Sequence, residues 1–124
     1  MAAFAFPKAA RLLQPAEFEF VFAQAQRHSA AGLTVLARPN GLRYARLGLA
    51  IAKKNIPAAT QRNRIRRLAR EYFRLHRAEL PHCDVILMTR SGCDKLDNAA
   101  FNVALTRCFG QLNKNSALSG PQHA

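Results

Sequence analysis

Residues 62–71 read RNRIRRLARE, and this stretch predicts a helix with two different faces. At helical pitch, side chains three and four positions apart lie on the same side of the cylinder. One side carries Ile65, Leu68, Ala69 and Tyr72, which predicts packing against a core. The opposite side is polar and cationic, with Arg62 and Arg66 flanking a row that consists of Asn63, Arg67, Arg70, Arg74 and Arg77. The sequence therefore couples a buried stripe to a charged stripe.

Positive charge is concentrated around this helix. Between Lys53 and Arg77 the chain places nine of its nineteen Lys and Arg residues, and Glu71 is the single acidic residue there. Like charges four positions apart destabilise an isolated helix by about 0.2–0.5 kcal/mol per pair, so the row indicates an external polyanion. A solvated face is the alternative, but such faces normally mix Glu with Lys. Arginine also binds phosphate bidentately and stacks on bases, which favours nucleic acid.

The composition bounds the class of protein. The chain has 124 residues, a hydrophobic content of 49% and a formal net charge of +12. That hydrophobic content is too high for a disordered basic tail, so we expect one compact domain over residues 1–124. We expect its ordered core over about 4–113 and a frayed tail over 114–124. Charge of this size attracts any polyanion and does not by itself identify one.

The start of the chain and its cysteines indicate a cytoplasmic protein. Pro7, Lys8 and Arg11 interrupt the apolar start before a signal peptide could form, and no run reaches membrane-spanning length. The spacing of the three cysteines matches neither a zinc motif nor a small disulfide framework, so we expect reduced thiols and no metal site. The three are Cys83, Cys93 and Cys108.

Periodicity and turn signals predict the order of the elements. We expect a first helix over 15–25, strands over 33–38 and 44–51, the basic helix over about 58–76, a strand over 84–90 and a last helix over 98–112. Asn40 and Gly41 favour a tight hairpin that pairs the first two strands antiparallel. Whether a short third strand lies near Ala58 is left open. The fold class is α+β, with helices packed on a single sheet.

The stretch from residue 61 to 71, together with Ala52-Lys53-Lys54, closely resembles the signature of the protein subunit of bacterial ribonuclease P. Further motifs follow in the order this family shows, so the resemblance covers roughly residues 4–113. They are Phe4-Ala5-Phe6-Pro7, Arg11-Leu12-Leu13, Phe18-Glu19-Phe20-Val21-Phe22, Arg46-Leu47-Gly48-Leu49, Asp84-Val85-Ile86-Leu87 and Leu96-Asp97-Asn98.

The resemblance implies a fold and a function. It implies the order α-β-β-β-α-β-α, a mixed four-stranded sheet and a left-handed crossover between parallel strands, against the usual hand. It also implies a small basic protein that joins a catalytic RNA and assists removal of the 5′ leader of precursor tRNA. The RNA would perform the cleavage with bound Mg²⁺, so no catalytic residue and no metal ligand is expected in the protein. The implied partners are the catalytic RNA and precursor tRNA, with neither a membrane nor DNA.

The resemblance also implies two sets of site residues. The residues that match the part of the family facing the catalytic RNA are Lys53, Lys54, Arg62, Asn63, Arg64, Arg66, Arg67, Arg70 and Arg74. The residues that match the cleft for the single-stranded leader are Phe18, Phe22 and Leu36.

Several of these residues have simpler alternative interpretations. By spacing alone, Phe18 and Phe22 are better assigned to core packing, and only the resemblance reverses that order, which makes Phe20 the stronger core candidate. Arg62 and Arg64 either hold the start of the helix or complete a phosphate site there, and we favour the phosphate site.

Two other functions remain open at this stage. A ribosomal or RNA-chaperone protein would use a similar sheet and basic helix without a processing role. A DNA-binding protein is disfavoured because no helix-turn-helix spacing precedes the arginines. The seven carboxylates and four histidines show no cluster in the sequence for two-metal or acid-base cleavage of RNA.

Overall fold

A computed structural model describes residues 8–114, with side chains as far as Leu112. The Phe4-Ala5-Phe6-Pro7 motif and, apart from Lys114, the predicted frayed tail 114–124 lie outside these residues. The helices and strands, in chain order, are α1 (Pro15–Ala23), β1 (Gln26–Ala30), β2 (Leu33–Pro39), β3 (Arg46–Ala50), α2 (Ala59–His76), β4 (Cys83–Thr89) and α3 (Asn98–Lys114). This is the predicted α-β-β-β-α-β-α order, and the α+β class is confirmed.

The four strands form one mixed sheet in the order β1-β2-β4-β3. β2 pairs antiparallel with both β1 and β4, whereas β3 runs parallel to β4. The predicted hairpin at Asn40 and Gly41 is therefore wrong, although Gly41 does have a positive φ of 72°. The reason is that residues 83–87 are all buried, so β4 takes a central place and separates β2 from β3.

The strand that the sequence analysis missed is β1, at the edge of the sheet. It forms a hairpin with β2 across Ala31, whose φ is 50°. Its sequence, QRHSA, lacks a continuous apolar face because an edge strand leaves alternate side chains exposed. No strand forms near Ala58, which has extended backbone angles and directly precedes α2.

The main core lies between one face of the sheet and the helices α2 and α3. On α2 the predicted buried residues Ile65, Leu68 and Ala69 are confirmed. Phe73 completes this stripe, while Tyr72 is half-buried and stacks on His76 with ring centroids 4.1 Å apart. The predicted stripe of α3 is buried throughout, and it consists of Phe101, Leu105, Cys108 and Leu112.

The other face of the sheet packs against α1. Val21 is fully buried there with Leu36 and Ile86, whose side chains alternate with those of the main core along β2 and β4. Phe18 lies over Gly48 of β3, where an added Cβ would come within 2.8 Å of the Phe18 Cζ atom. Gly48 therefore allows α1 to approach the sheet closely.

Candidate nucleic-acid interface

Arginines from two separate parts of the chain line a groove of about 380 Å³ along α2, which we call the arginine groove. Its lining consists of Arg11, Asn63, Arg66, Arg67, Arg70, Glu71 and Arg74. The structure thus brings together five of the residues that the sequence analysis assigned to the catalytic RNA. They are Asn63, Arg66, Arg67, Arg70 and Arg74.

Arg11 is a groove residue that the sequence analysis did not assign. It follows a short 3₁₀ turn at Lys8–Ala10, and the next residue, Leu12, donates its N–H to the Leu47 carbonyl at 2.8 Å. This contact with β3 holds the N-terminal segment beside α2. No periodicity connects Arg11 to a helix that begins at Ala59, so sequence spacing alone provides no signal for it.

The electrostatics of the groove fit a negatively charged ligand. Partial burial, followed by the charges of Arg11 and Arg66, lowers the pKa of Arg70 below its usual value. Glu71 forms its salt bridge with Arg74, one turn along α2. Arg66, Arg67 and Arg70 form no salt bridge with any residue that the structure describes. Like charges held together in this way are stabilised by an anion.

Arg62 and Arg64 do not line the arginine groove. Arg62 Nη1 donates to the carbonyls of Ile56 and Pro57 at 2.9 and 2.7 Å, immediately before α2. These bonds match the alternative in which Arg62 holds the start of the helix. Its contact with the catalytic RNA stays a prediction.

Arg64 reaches in a different direction, toward the start of α3. Its guanidinium donates to Asn98 Oδ1 at 2.8 Å and to the carbonyls of Leu96 and Asp94 at 2.9 and 3.1 Å. Arg64 therefore fastens α2 to the segment that precedes α3. Arg77, the last member of the predicted row, lies beyond the end of α2 in a short 3₁₀ turn, so it does not extend the groove.

Lys53 and Lys54 are exposed in the turn that follows β3. Asn55 fixes this turn to β4, because its Nδ2 donates to the Thr89 carbonyl at 2.9 Å. Since β3 and β4 are parallel, both strands end at the same edge of the sheet, and Arg90 follows β4 there. The two lysines therefore share this edge with Arg90, a residue that the sequence analysis did not single out.

Phe18 and Phe22 lie side by side on α1, with ring centroids 6.4 Å apart. The two rings differ in exposure: Phe18 is half-buried over the sheet, whereas Phe22 is 50% exposed. Leu36 is buried beneath α1 with Val21. Phe18 and Phe22 of α1 and Leu36 of β2 thus lie on the same side of the sheet, and Phe22 is the most accessible of the three. Their contact with the leader stays a prediction.

Phe20 is not a core residue, so that prediction is wrong. Its ring is 37% exposed, and the Arg38 guanidinium carbon lies 3.9 Å from the ring centroid. Arg38 Nη1 also donates to the Phe20 carbonyl at 2.6 Å. The reason is that α1 buries only the side that carries Val21, and Phe20 points away from it.

Two hydroxyl groups, those of Ser29 and Thr34, lie on the same face of the sheet as Leu36. Thr34 lies two residues before Leu36 on β2, so both side chains point to the same face, where Thr34 is buried and the neighbouring Ser29 is exposed. The Thr34 and Ser29 hydroxyl oxygens are 3.0 Å apart, and Arg90 Nη2 donates to the Ser29 oxygen at 3.2 Å. Aromatic rings, hydroxyls and cations on one surface are typical of proteins that bind single-stranded nucleic acid.

The residues that the structure describes contain neither a cluster of metal-binding side chains nor a helix suited to crossing a membrane. No group of three His, Cys, Asp or Glu side chains within residues 8–112 has the spacing to hold a metal ion. In the same part of the chain, no helix combines the length and the apolar character that crossing a bilayer requires.

Known proteins resemble this chain over most of its length. A family model described as ribonuclease P matches residues 6–113. The ribonuclease P protein component of Proteus mirabilis strain HI4320 is 50% identical over 112 residues, which cover 90% of this chain and 91% of the relative.

Solved structures give the same comparison for the fold. The RNase P protein of Thermotoga maritima superposes with a TM-score of 0.72 at 26% identity, covering 85% of this chain and 96% of that one. The RNase P protein of Staphylococcus aureus superposes with a TM-score of 0.75 at 24% identity, covering 86% and 94%. At 24% identity, the comparison with the Staphylococcus aureus protein shows a similarity of fold alone.

Proposed function

The chain belongs to the ribonuclease P protein family, and from this membership we propose how its surfaces serve the enzyme. Ribonuclease P is an endoribonuclease that consists of RNA and protein and removes the 5′ leader of precursor tRNA. The chain is its RNA-binding protein subunit and works with the ribonuclease P RNA and precursor tRNA. The family membership also supports action in the cytoplasm of a bacterium.

The arginine groove binds phosphates of the catalytic RNA in this proposal. The observation that carries it is the convergence of Arg11 with Arg66, Arg67, Arg70 and Arg74. Guanidinium groups bind phosphate oxygens through paired hydrogen bonds, and each neutralised phosphate releases counterions. Asn63 adds an exposed donor to the groove, and Lys53 and Lys54 bind the same RNA from the turn that follows β3. Arg62 and Arg64 contribute by fixing the start of α2, and any contact that they make with RNA would use donors left over from that role.

The face of the sheet beside α1 holds the single-stranded leader. Phe22 offers an exposed ring on which an unpaired base stacks, while Phe18 lies beside that ring and packs on Leu36 of the sheet. Stacking accepts any base, which suits an enzyme that processes leaders of many sequences. The exposed Ser29 hydroxyl lies on the same face and can bind base edges or the ribose 2′-hydroxyl, while the buried Thr34 hydroxyl contacts it from within the sheet.

The chemical step belongs to the RNA in this proposal, with Mg²⁺ bound at RNA and substrate phosphates. The residues that the structure describes include no group of His, Cys, Asp and Glu side chains that fits the ion. The arginines lower the repulsion between two polyanions that must approach each other. The aromatic face aligns the leader, so the protein contributes binding and orientation.

Reconstitution tests this proposal. Precursor tRNA is incubated with the protein, with the catalytic RNA and with both, at a magnesium concentration where the RNA alone is slow. Synergy of the two components, together with an inactive polypeptide, is the expected result. Cleavage of the precursor by purified polypeptide freed of RNA would contradict it, as would equal rates with and without the protein.

A further inference from the structure

A small apolar hollow opens directly beside the arginine groove. It has a volume of about 140 Å³, and its lining consists of Arg11, Leu12, Leu13, Leu47, Leu49, Arg66 and Arg70. Leu13 is 55% exposed at its rim, although the neighbouring Leu12 is buried. Leu13 is not isolated there, because four leucine side chains and three arginines line the same hollow. The hollow therefore combines an apolar floor with planar cationic walls.

The hollow and the arginine groove are parts of one depression, because both are lined by Arg11, Arg66 and Arg70. If the phosphate of a nucleotide lies in the groove, the base of the same nucleotide can therefore reach the hollow. The volume of the hollow suits one nucleobase and is too small for a base pair. Guanidinium planes stack on bases, and the free energy of the complex falls when a base covers leucine side chains that were exposed to water.

We propose that the hollow binds the base of one unpaired nucleotide of the catalytic RNA, while the phosphate of that nucleotide lies in the arginine groove. Bases within an A-form helix are stacked and paired, so only an unstacked nucleotide can enter. The groove by itself recognises charge, whereas the hollow selects a position in the RNA where a base is free. This inference rests on the proposed function, because it specifies which part of the RNA the groove receives.

Replacement of Leu13 tests the inference, because its side chain is exposed and its backbone contact is kept. The Leu13 N–H donates to Glu17 Oε1 at 2.8 Å whatever the side chain. Leu13→Ser is compared with Leu75→Ser, a matched control on α2 that is 43% exposed and lines neither the groove nor the hollow. Thermal melting of both variants verifies that they fold like the unsubstituted chain.

Affinity for the ribonuclease P RNA of the same organism is then measured over a range of salt concentrations. Leu13→Ser is expected to weaken binding about tenfold with an unchanged salt slope, because an apolar contact is lost and no phosphate contact. Leu75→Ser is expected to leave binding unchanged. If Leu13→Ser and Leu75→Ser bind the RNA equally well, and the unsubstituted chain binds it tightly, the inference is overturned and the proposed function stands. Failure of the unsubstituted chain to bind this RNA would overturn both.

A crosslinking experiment gives a second and direct measurement. Leu13→Cys is labelled with a photoreactive thiol reagent, since the three natural cysteines are buried. Irradiation of its complex with the same RNA is expected to give one dominant crosslink at an unpaired nucleotide. Crosslinks spread over paired regions, or a pattern identical to that of Leu75→Cys, would contradict a base in the hollow.

Discussion

Arg46 binds Asp84 through two parallel hydrogen bonds, from Nε to Oδ1 at 2.8 Å and from Nη2 to Oδ2 at 2.7 Å. The two residues are paired in the register of β3 and β4, and Asp84 is completely buried. Asn40 Nδ2 donates a further hydrogen bond to Asp84 Oδ1 at 2.9 Å. Arg46 also contacts Glu17 at 3.3 Å, so this pair connects the sheet to α1. The hydrogen bond to Asp84 is the largest cause of the raised pKa of Arg46.

Removal of the Arg46 guanidinium is expected to destabilise the fold strongly. Arg46→Met leaves the Asp84 carboxylate buried without its cation, at a cost of about 3 kcal/mol in the free energy of unfolding. Urea unfolding monitored by circular dichroism measures this change. Arg43→Met, at an exposed position in the preceding loop, is the control and should change stability by less than about 0.5 kcal/mol. Similar losses in the two variants would show that the pair is not needed for stability.

Glu17 is expected to make the fold acid-sensitive in a defined range. The N–H groups of Gln14 and Leu13 bind its carboxylate, and together with the charge of Arg46 they lower the pKa of Glu17 from 4.5. A carboxyl group whose pKa is lower in the folded state stabilises the fold above its unfolded pKa, and this stability is lost as the pH falls through the folded pKa. Glu17→Gln should therefore melt at a lower temperature than the unsubstituted chain at pH 6. The difference should shrink steadily below about pH 4.5, and a pH-independent difference would refute the carboxylate's role.

Phe18 and Phe22 are expected to differ in what they contribute. Phe22→Ala removes an exposed ring, so it should leave stability nearly unchanged and weaken binding of leader-containing precursor about tenfold, without affecting mature tRNA. Phe18→Ala removes a ring that packs on Gly48, so it should cost about 2 kcal/mol of stability as well. Binding titrations with precursor and mature tRNA, and thermal melting, measure the two effects. Phe20→Ala is the matched control, and a loss equal to that of Phe22→Ala would mean that the leader does not use this face.

The three cysteines are expected to be inert in the native protein. Burial raises the pKa of Cys83 to about 12 and that of Cys93 and Cys108 to about 11, so almost no thiolate is present at pH 8. A thiol reagent such as DTNB should react with all three only after denaturation. Rapid modification of a cysteine under native conditions would indicate that the core between the sheet and α3 opens readily.

Strong local periodicity explains which parts of the fold were predictable. The boundaries of α2 and α3 and their buried stripes follow from spacing, because Ile65 and Phe101 each begin a series at helical intervals. The residues of β4 form an apolar run that fits no exposed element. In contrast, β1 is short and polar, and its pairing with β2 depends on the turn at Ala31 and on the central position of β4. Strand order is a property of the assembled sheet, and no single segment encodes it.

The candidate site was predictable to the same extent. The helical spacing of Arg67, Arg70 and Arg74 identified one wall of the arginine groove. Arg11 was missed because it reaches the groove through a contact with β3 and not through any repeat. Arg64 lies within the same basic stretch, but its donors are taken by carbonyls near α3 that sequence spacing cannot locate. Tertiary hydrogen bonds therefore separate structural arginines from those that remain available for a ligand.

The dependence of RNA affinity on salt tests the central claim most directly, namely that the arginine groove binds phosphates of the catalytic RNA. The groove contains five arginines, which neutralise about five phosphates and predict a slope of about −4 for log K against log salt concentration. The double variant Arg67→Gln, Arg70→Gln should reduce this slope to about −2, whereas Arg107→Gln on α3 should not change it. A slope near zero for the unsubstituted chain, or equal slopes for the double variant and Arg107→Gln, would contradict the account.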